Sequence, residues 1–295
     1  MTRHHWISTL ARVFCGLVFI IHGYPKIMNL AGTSMFFSEN FGIRYYGVAY
    51  LAGFFTSAWL LHRYWRTGRS PFDLGAIMDL MTYMIVGTLI GGRLGYFLFY
   101  QLDALRSDPL TLFRVWEGGM ASHGGFLGVF AAMWLWARKR KVHLFQVSDL
   151  VVTVAPVGLL FGRIANFING ELVGKVTTVR WAVIFPDNEY DRGLLQAMPR
   201  HPSQLYAAAL EGALLLAYLQ WRFWRSNVAR DRPGQLSAEF LIVYAFLRVV
   251  GEIFREPDAP LLLGVSRGIF YSLFMVIAGI LILLRQRRRS SASGA

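Results

Sequence analysis

Long apolar runs separated by short polar stretches recur along the chain between residues 45 and 284. A helix of about 17–25 mainly apolar residues can cross a hydrocarbon core of roughly 30 Å. The pattern predicts seven such spans, at 45–61, 75–99, 120–137, 147–168, 203–221, 236–254 and 265–284. We therefore expect an all-α polytopic membrane protein in which seven core transmembrane helices form one bundle.

Composition agrees with this class. The chain has 55% hydrophobic and 16% charged residues, whereas soluble proteins average about 45–50% and about 25%. Its net charge of +13 lies between the spans and in the tail, which is typical of topology signals and contacts with membrane lipids, so no nucleic acid partner is expected. Cys15 is the only cysteine and excludes an internal disulfide; we interpret it as a small buried hydrophobe.

The loops predict the orientation of the bundle. Seven alternating spans divide the loops into two sets, and the set with 62–69, 138–141, 222–234 and the tail has more Lys and Arg over a shorter length. An excess of these residues marks the cytoplasmic side. The C-terminus is therefore expected to be cytoplasmic.

Three segments outside the spans complete the organisation. Residues 170–202 form a long outer connection, which we interpret as a small extracytoplasmic head; a passive loop is the alternative. Residues 1–44 are an N-terminal extension, either a possible extra N-terminal helix that makes a short eighth span or an interfacial arm. A cleaved signal peptide is less well supported, because no small-residue cleavage site follows the apolar run. The transmembrane domain is 45–285, and 286–295 is a basic tail.

Several polar residues fall inside the predicted spans, where they are costly unless they face protein or a polar cavity. They are Tyr46, Arg93, His123, Asp149, Arg163, Asn166, Asn169, Glu211, Glu239, Tyr244, Arg248 and Glu252. Snorkelling to the headgroups is an alternative for Glu211 and Glu239, near span ends. Asp149 is expected to cap the start of the fourth span.

One span carries a polar face. Tyr244, Arg248 and Glu252 repeat every four residues, a spacing that places them on one side of a helix. An Arg–Glu structural pair is one explanation. The other is an anion held between Arg248 and Arg163, since the guanidinium fork suits a phosphate group.

Two further residues lie among glycines. His123 follows Ser122 and precedes Gly124 and Gly125; it is either a hydrogen-bonded structural residue or a group that takes a proton near neutral pH. Arg93 lies in a glycine-rich run that is typical of close helix packing, and it belongs either to a site or to an internal ion pair.

Six motifs, in this order and spacing, resemble those of the bacterial prolipoprotein diacylglyceryl transferase family over residues 43–285. They are Ile43–Gly47, Gly91–Tyr96, Glu117–Gly125, Gly162–Gly174, Arg200–Tyr206 and Phe254–Asp258. The resemblance implies a multi-pass enzyme of the bacterial inner membrane. Such enzymes transfer the diacylglyceryl group of phosphatidylglycerol to the lipobox cysteine of a prolipoprotein signal peptide, form a thioether and release glycerol phosphate. No metal and no cofactor is expected.

The resemblance also implies residue roles. His123 is the candidate base for the thiol, a lipid phosphate oxygen being the alternative acceptor. Arg163 and Arg248 hold the phosphate. The other implied catalytic residues are Tyr46, Asn166 and Tyr244, and the other implied substrate-binding residues are Arg93, Asn169, Glu171, Gly174, His201 and Glu252.

Two departures from the family pattern keep other functions open. The extension before Ile43 is long, and Gly268-Ile269 and Leu273-Phe274-Met275 stand where the family tends to have Gly-Gln and Leu-Pro-Met. A paralogue with another lipid donor or acceptor is one alternative. The others are a transporter or channel for an anion and a non-catalytic membrane scaffold or lipid-binding protein.

Overall fold

The computed structural model describes residues 45–114, 118–185, 189–191, 197–258 and 260–292. Helices with short connections make up most of them, so the all-α class is confirmed. The predicted span or arm in 1–44 lies outside the described residues, as does part of the predicted head.

The elements are named in chain order. The helices are α1 (Tyr45–Arg66), α2 (Leu74–Tyr100), α3 (Leu102–Ser107), α4 (Ser122–Arg140), α5 (Leu144–Val152), α6 (Ala155–Ile168), α7 (Ser203–Ala207), α8 (Leu215–Arg225), α9 (Val228–Asp231), α10 (Gln235–Glu252) and α11 (Arg267–Ala292). A π-helical segment, Ala208–Leu214, joins α7 to α8, and 3₁₀ turns lie at Pro109–Phe113 and Glu189–Asp191. Strands β1 (Val183–Ile184) and β2 (Pro199–Arg200) pair antiparallel, with Val183 opposite Arg200.

Each predicted span coincides with a helix or with consecutive helices. Among the described residues, α2 and Arg267–Arg288 of α11 are long and apolar enough to cross a membrane. Helices α5 and α6, bent by 41° at the break between them, meet the same criteria when taken together. These helices support a membrane protein, and the arrangement of seven spans stays a prediction.

The chain divides into two compact units. The described residues of the first lie in Ser70–Val147, and the second comprises Ile43–Arg69 and Ser148–Ala295. In the second unit α1 packs on α6 and α10 packs on α11. Leu215 and Leu219 of α8 meet Leu247 of α10 in a buried apolar cluster.

The predicted role of Asp149 as the cap of its own span is wrong. Asp149 lies in the middle of α5 and is completely buried. Its carboxylate accepts hydrogen bonds from the backbone N–H groups of Gly234 and Ser237 at 2.6 and 2.8 Å, and from the Ser237 hydroxyl at 2.6 Å. It therefore caps the first turn of α10, whose own N-cap residue is a glycine without a side-chain acceptor.

In the first unit, facing glycines bring α2 and α4 into backbone contact. A methyl group on Gly128 of α4 would overlap the carbonyl oxygen of Gly87, and one on Gly124 would overlap that of Gly91. Small residues at such a crossing let two helices approach closely, which strengthens their van der Waals contact where lipid provides no hydrophobic driving force.

Gly128→Ala is expected to destabilise the first unit, because the added methyl group meets backbone atoms that cannot move aside. Overpacking of this kind costs about 1–3 kcal/mol. The matched control is Gly125→Ala on the same helix, where the nearest heavy atom lies 3.8 Å from the added Cβ. Thermal unfolding in detergent should show a lower midpoint for Gly128→Ala only; equal midpoints for the two variants would contradict the packing described.

Candidate active site

Two arginines of the second unit share one buried carboxylate. Arg163 of α6 donates to Glu211 Oε2 at 3.2 Å, and Arg248 of α10 donates to Oε1 at 3.0 Å. The Glu211 side chain is 1% exposed, against 18% for Arg163 and 14% for Arg248. Snorkelling is therefore wrong for Glu211. The anion that lies between the two arginines here is a carboxylate of the protein itself.

The predicted polar face of α10 continues from this cluster. Arg248 Nη2 lies 2.9 Å from Glu252 Oε2, so the structural Arg–Glu pair is confirmed. This is an ionic contact without hydrogen-bond geometry, and Glu252 Oε2 is buried with no hydrogen-bond partner among the described residues. Tyr244, one turn before Arg248, has its hydroxyl beside Glu211.

The π-helical segment places Glu211. A π-helix forms i→i+5 hydrogen bonds, which widen the turn. Such segments are rare in proteins, and those that occur are often found at functional sites. Gly212 brings this turn against α6, because a Cβ there would lie 2.7 Å from Leu160 Cα. The close approach brings the neighbouring Glu211 within reach of Arg163.

Past the end of α6 the chain turns back on itself. Gly170 and Leu172 both have left-handed backbone conformations, with φ of 69° and 55°. The turn returns Glu171 to α6, where its carboxylate accepts from Asn166 Nδ2 at 3.4 Å and from Asn169 Nδ2 at 3.1 Å. A left-handed conformation is uncommon for leucine. The Ser203 hydroxyl stabilises this conformation of Leu172 by donating to its carbonyl oxygen at 3.0 Å.

Gly174 lies where three stretches of chain cross. Its N–H donates to the carbonyl oxygen of His201 at 3.1 Å, and it forms an antiparallel bridge with Arg255. A Cβ at Gly174 would overlap the carbonyl oxygen of His201 and lie 2.8 Å from that of Phe254. Glycine is thus the residue that fits, since any side chain would push these stretches apart.

A buried ion pair holds the next stretch. Arg200 Nη2 lies 2.5 Å from Asp191 Oδ1, and Arg200 Nη1 lies 3.3 Å from Glu256 Oε2. The hydrogen bonds that Arg200 donates to the Asp191 carboxylate raise the pKa of Arg200 above its usual value. Beside it, His201 Nδ1 lies 3.2 Å from the Tyr206 hydroxyl, which accepts from Trp181 Nε1 at 2.6 Å. The position of the His201 ring is thus fixed by Tyr206, which is itself held by Trp181.

The structure brings many of the predicted residues together in one unit. They are Arg163, Asn166, Asn169, Glu171, Gly174, His201, Tyr244, Arg248 and Glu252. His123 is exposed on the first turn of α4, in the other unit. Tyr46 lies in the first turn of α1, and its side chain lies outside the described residues. The roles given to His123 and Tyr46 stay predictions.

Arg93 is buried in the first unit and holds a loop. Its guanidinium donates to backbone carbonyl oxygens of Thr111, Leu112, Arg114, Gly118 and Gly119. The predicted ion pair is absent from its described contacts, which tie α2 to the chain that precedes α4. As a substrate-binding residue Arg93 stays a prediction.

Sequence reasoning missed two charged residues of the cluster. Glu211 offered a signal, a carboxylate in the interior of an apolar run, but snorkelling accounted for it equally well. Arg255 belongs to a motif of the sequence and is 8% exposed. Burial, followed by the charge of Arg248, lowers the pKa of Arg255. Its guanidinium pairs with Asp258 at 2.6 Å, and its backbone bridges to Gly174.

The fold and the cluster define a helical membrane protein with a charged, partly enclosed site at the ends of apolar helices. A family model described as "Prolipoprotein diacylglyceryl transferase" matches residues 34–285. A Rhodospirillum centenum protein named phosphatidylglycerol–prolipoprotein diacylglyceryl transferase is 46% identical over 82% of this chain and 87% of its own length. Proteins of the same name from Aeromonas salmonicida and Rhizobium meliloti are 43% and 41% identical, each over 85% of this chain and over 89% and 90% of their own lengths. The chain belongs to the prolipoprotein diacylglyceryl transferase family.

Gly268 of α11 is expected to be a positioning residue for the arginine cluster. A Cβ there would lie 2.6 Å from Glu252 Oε2 and 3.1 Å from Arg248 Nε. The nearest atoms are the ends of two paired side chains, so Gly268→Ala should displace the ion pair and lower the thermal midpoint by less than an overlap with backbone would. Gly158→Ala, also helical and with open space at the added Cβ, is the control. Unchanged midpoints in both variants would show that Gly268 does not support the pair.

Proposed function

We propose that this protein transfers the diacylglyceryl group of phosphatidylglycerol to the lipobox cysteine of a prolipoprotein, the first step of bacterial lipoprotein maturation. The reaction forms a thioether and releases glycerol phosphate. Membership of the family supports the reaction, since the relatives carry the names of both substrates. The charge of the site supports the lipid donor.

The observation that carries the proposal is the balance of charges in the second unit. Three arginines, Arg163, Arg248 and Arg255, stand against two side chains of opposite sign that are almost completely buried, Glu211 and Glu252. Arg255 has a third carboxylate, Asp258, at 2.6 Å, but that side chain is 43% exposed and solvent screens its charge. The buried carboxylates therefore offset the three arginines only in part, and the single negative charge of a phosphodiester lipid suits the site.

Arg163 is the residue placed to meet the lipid. It uses Nη2 for Glu211, while within the described part of the chain no partner accepts from its Nε or Nη1. Nη2 carries two N–H groups and Glu211 takes one of them, so one bidentate edge of the guanidinium, Nε with Nη2 or Nη1 with Nη2, remains for a phosphate. Glu211 fixes the orientation of the fork before the lipid arrives.

The proposed chemistry is a substitution at a glycerol carbon. The cysteine sulfur attacks the glycerol carbon that bears the phosphate ester, a C–S bond forms, and the C–O bond breaks. The bonding electrons pass to the phosphate oxygen, so the phosphate gains one negative charge as glycerol phosphate leaves. Arg163 and Arg248 stabilise this growing charge, an electrostatic contribution that is often the largest in catalysis. The thiol proton passes to a base, because the thiolate is the nucleophile.

The remaining roles rest on the family resemblance. His123 is the proposed base, and Tyr46 and Tyr244 donate hydrogen bonds to lipid oxygens. Asn166 with Asn169, Glu171 and Gly174 shapes the pocket around the glycerol. Arg93, His201 and Glu252 complete the proposed substrate-binding set. The proposed setting is the inner membrane, with seven spans, residues 170–202 outside and the C-terminus in the cytoplasm.

A defined transfer assay tests the proposal. The purified protein in nanodiscs receives labelled phosphatidylglycerol and a lipobox peptide, with a Cys→Ser peptide as control. We expect a thioether-linked diacylglyceryl peptide that depends on the cysteine. A folded protein that yields no product, or that uses another lipid in place of phosphatidylglycerol, would contradict the proposal.

Lysine at either arginine of the cluster is expected to abolish most transfer. Arg163→Lys and Arg248→Lys keep the charge but lose the fork that binds a carboxylate and a phosphate together, so turnover should fall by roughly 100-fold or more. Arg222→Lys is the matched control, because Arg222 pairs with Glu239 at 2.7 Å in the same unit, outside the cluster. Near-normal turnover in both cluster variants would refute the phosphate-binding role.

A further inference from the structure

A tight hairpin precedes the last helix. The N–H of Leu262 donates to the carbonyl oxygen of Val265 at 2.8 Å, and the N–H of Val265 donates back to that of Leu262 at 3.0 Å. The two residues between them, Leu263 and Gly264, have left-handed conformations with φ of 51° and 81°. Two left-handed central residues define a type I′ turn, which connects two strands in the shortest possible way.

The residue at the tip of this turn is unusual. Type I′ turns favour Asn-Gly or Asp-Gly, because asparagine and aspartate tolerate the left-handed conformation better than other residues with a side chain. Here the first position is Leu263, which is 91% exposed. Leu261, just before the hairpin, is 53% exposed, and Val265 is 37% exposed. The hairpin thus presents apolar side chains on a backbone that disfavours leucine.

The covalent neighbour of the hairpin fixes its depth. Val265 is two residues before Arg267, the first residue of a helix long and apolar enough to span a membrane. Two residues reach at most about 7 Å, and the polar layer outside the hydrocarbon core is roughly 5–8 Å thick on each side. A membrane span that begins at Arg267 would therefore place the hairpin at the lipid–water interface.

We propose that the segment Leu261–Val265 is an interfacial anchor, whose leucines insert among the lipid headgroups and upper acyl chains. Apolar side chains at the headgroup boundary bind by removing apolar surface from water. Lipid contact explains an exposed leucine where asparagine would relieve the backbone. The segment lies five to nine residues after Glu256, whose carboxylate pairs with Arg200, so the anchor holds this end of the arginine-rich site close to the bilayer surface.

Spin-label accessibility tests the anchor directly. Cys15 is replaced by serine in the full chain, and a nitroxide is attached at Leu263→Cys or Leu261→Cys. The control is Arg232→Cys, an exposed residue of the polar loop before α10. In nanodiscs of phosphatidylglycerol and phosphatidylethanolamine, the labels at 263 and 261 should collide more with oxygen than with a water-soluble nickel complex. The control label should show the reverse.

Three outcomes would overturn the anchor. One is equal accessibility to nickel at 263, 261 and 232. Another is protection from nickel that arises only when a lipobox peptide is added, which would make the hairpin a peptide-binding surface. The third is protection that persists in Leu263→Asn labelled at 261, since asparagine fits the turn but cannot anchor it in lipid. The measurement needs no turnover, so its result stands apart from that of the transfer assay.

Discussion

The buried carboxylate of Glu211 is the interaction on which the site depends. It binds two arginines that come from different helices, α6 and α10, while its own chain belongs to the π-helical segment. Each arginine alone would be costly at this depth, because charges removed from water must be paired. Each carboxylate oxygen accepts from one guanidinium, so a single side chain holds both arginines and offsets one of their two positive charges. Glu252, 2.9 Å from Arg248, offsets the other. The pairing thus makes two buried cations tolerable and orients them at the same time.

A second constraint fixes the chain around this cluster. The extended residues near Gly174 lie between His201 on one side and Phe254 with Arg255 on the other. Arg200 ties the same crossing to Asp191 and Glu256. The end of α6, the start of α7 and the end of α10 are consequently joined by backbone hydrogen bonds as well as by ion pairs. A displacement in any one of them would be transmitted to the arginines.

Local patterns in the sequence predicted the parts of this arrangement that depend on spacing. Apolar runs gave the helices, and the four-residue repeat gave the common face of Tyr244, Arg248 and Glu252. Contacts between residues far apart in the chain could not be predicted from local patterns. Nothing near Asp149 shows that it caps a helix more than 80 residues later in the chain, with Gly234 85 positions away. Similarly, a carboxylate within an apolar run gives no sign of whether it meets arginines or water.

The predicted phosphate site shows the same difference between what local patterns predict and what depends on distant residues. The sequence correctly placed two arginines together, because both lie near the same ends of apolar runs. It could not show that Glu211 already lies between them, since this depends on a local change of helix type. Arg93 is a comparable case. Its guanidinium donates to backbone carbonyl oxygens, and every residue has such an oxygen, so the sequence could not show which ones accept.

The π-helical segment has a consequence for how this protein tolerates changes in chain length. A π turn holds more residues than an α-helical turn, so the helix from Ser203 to Arg225 contains surplus chain at Ala208–Leu214. Deleting one residue from an ordinary α-helix rotates everything beyond it by about 100°. Within this segment the same deletion lets the wide turn relax to an α-helix and leaves α8 in register with its neighbours. A one-residue deletion here should therefore keep the helix continuous but move Glu211, the side chain that joins the two arginines.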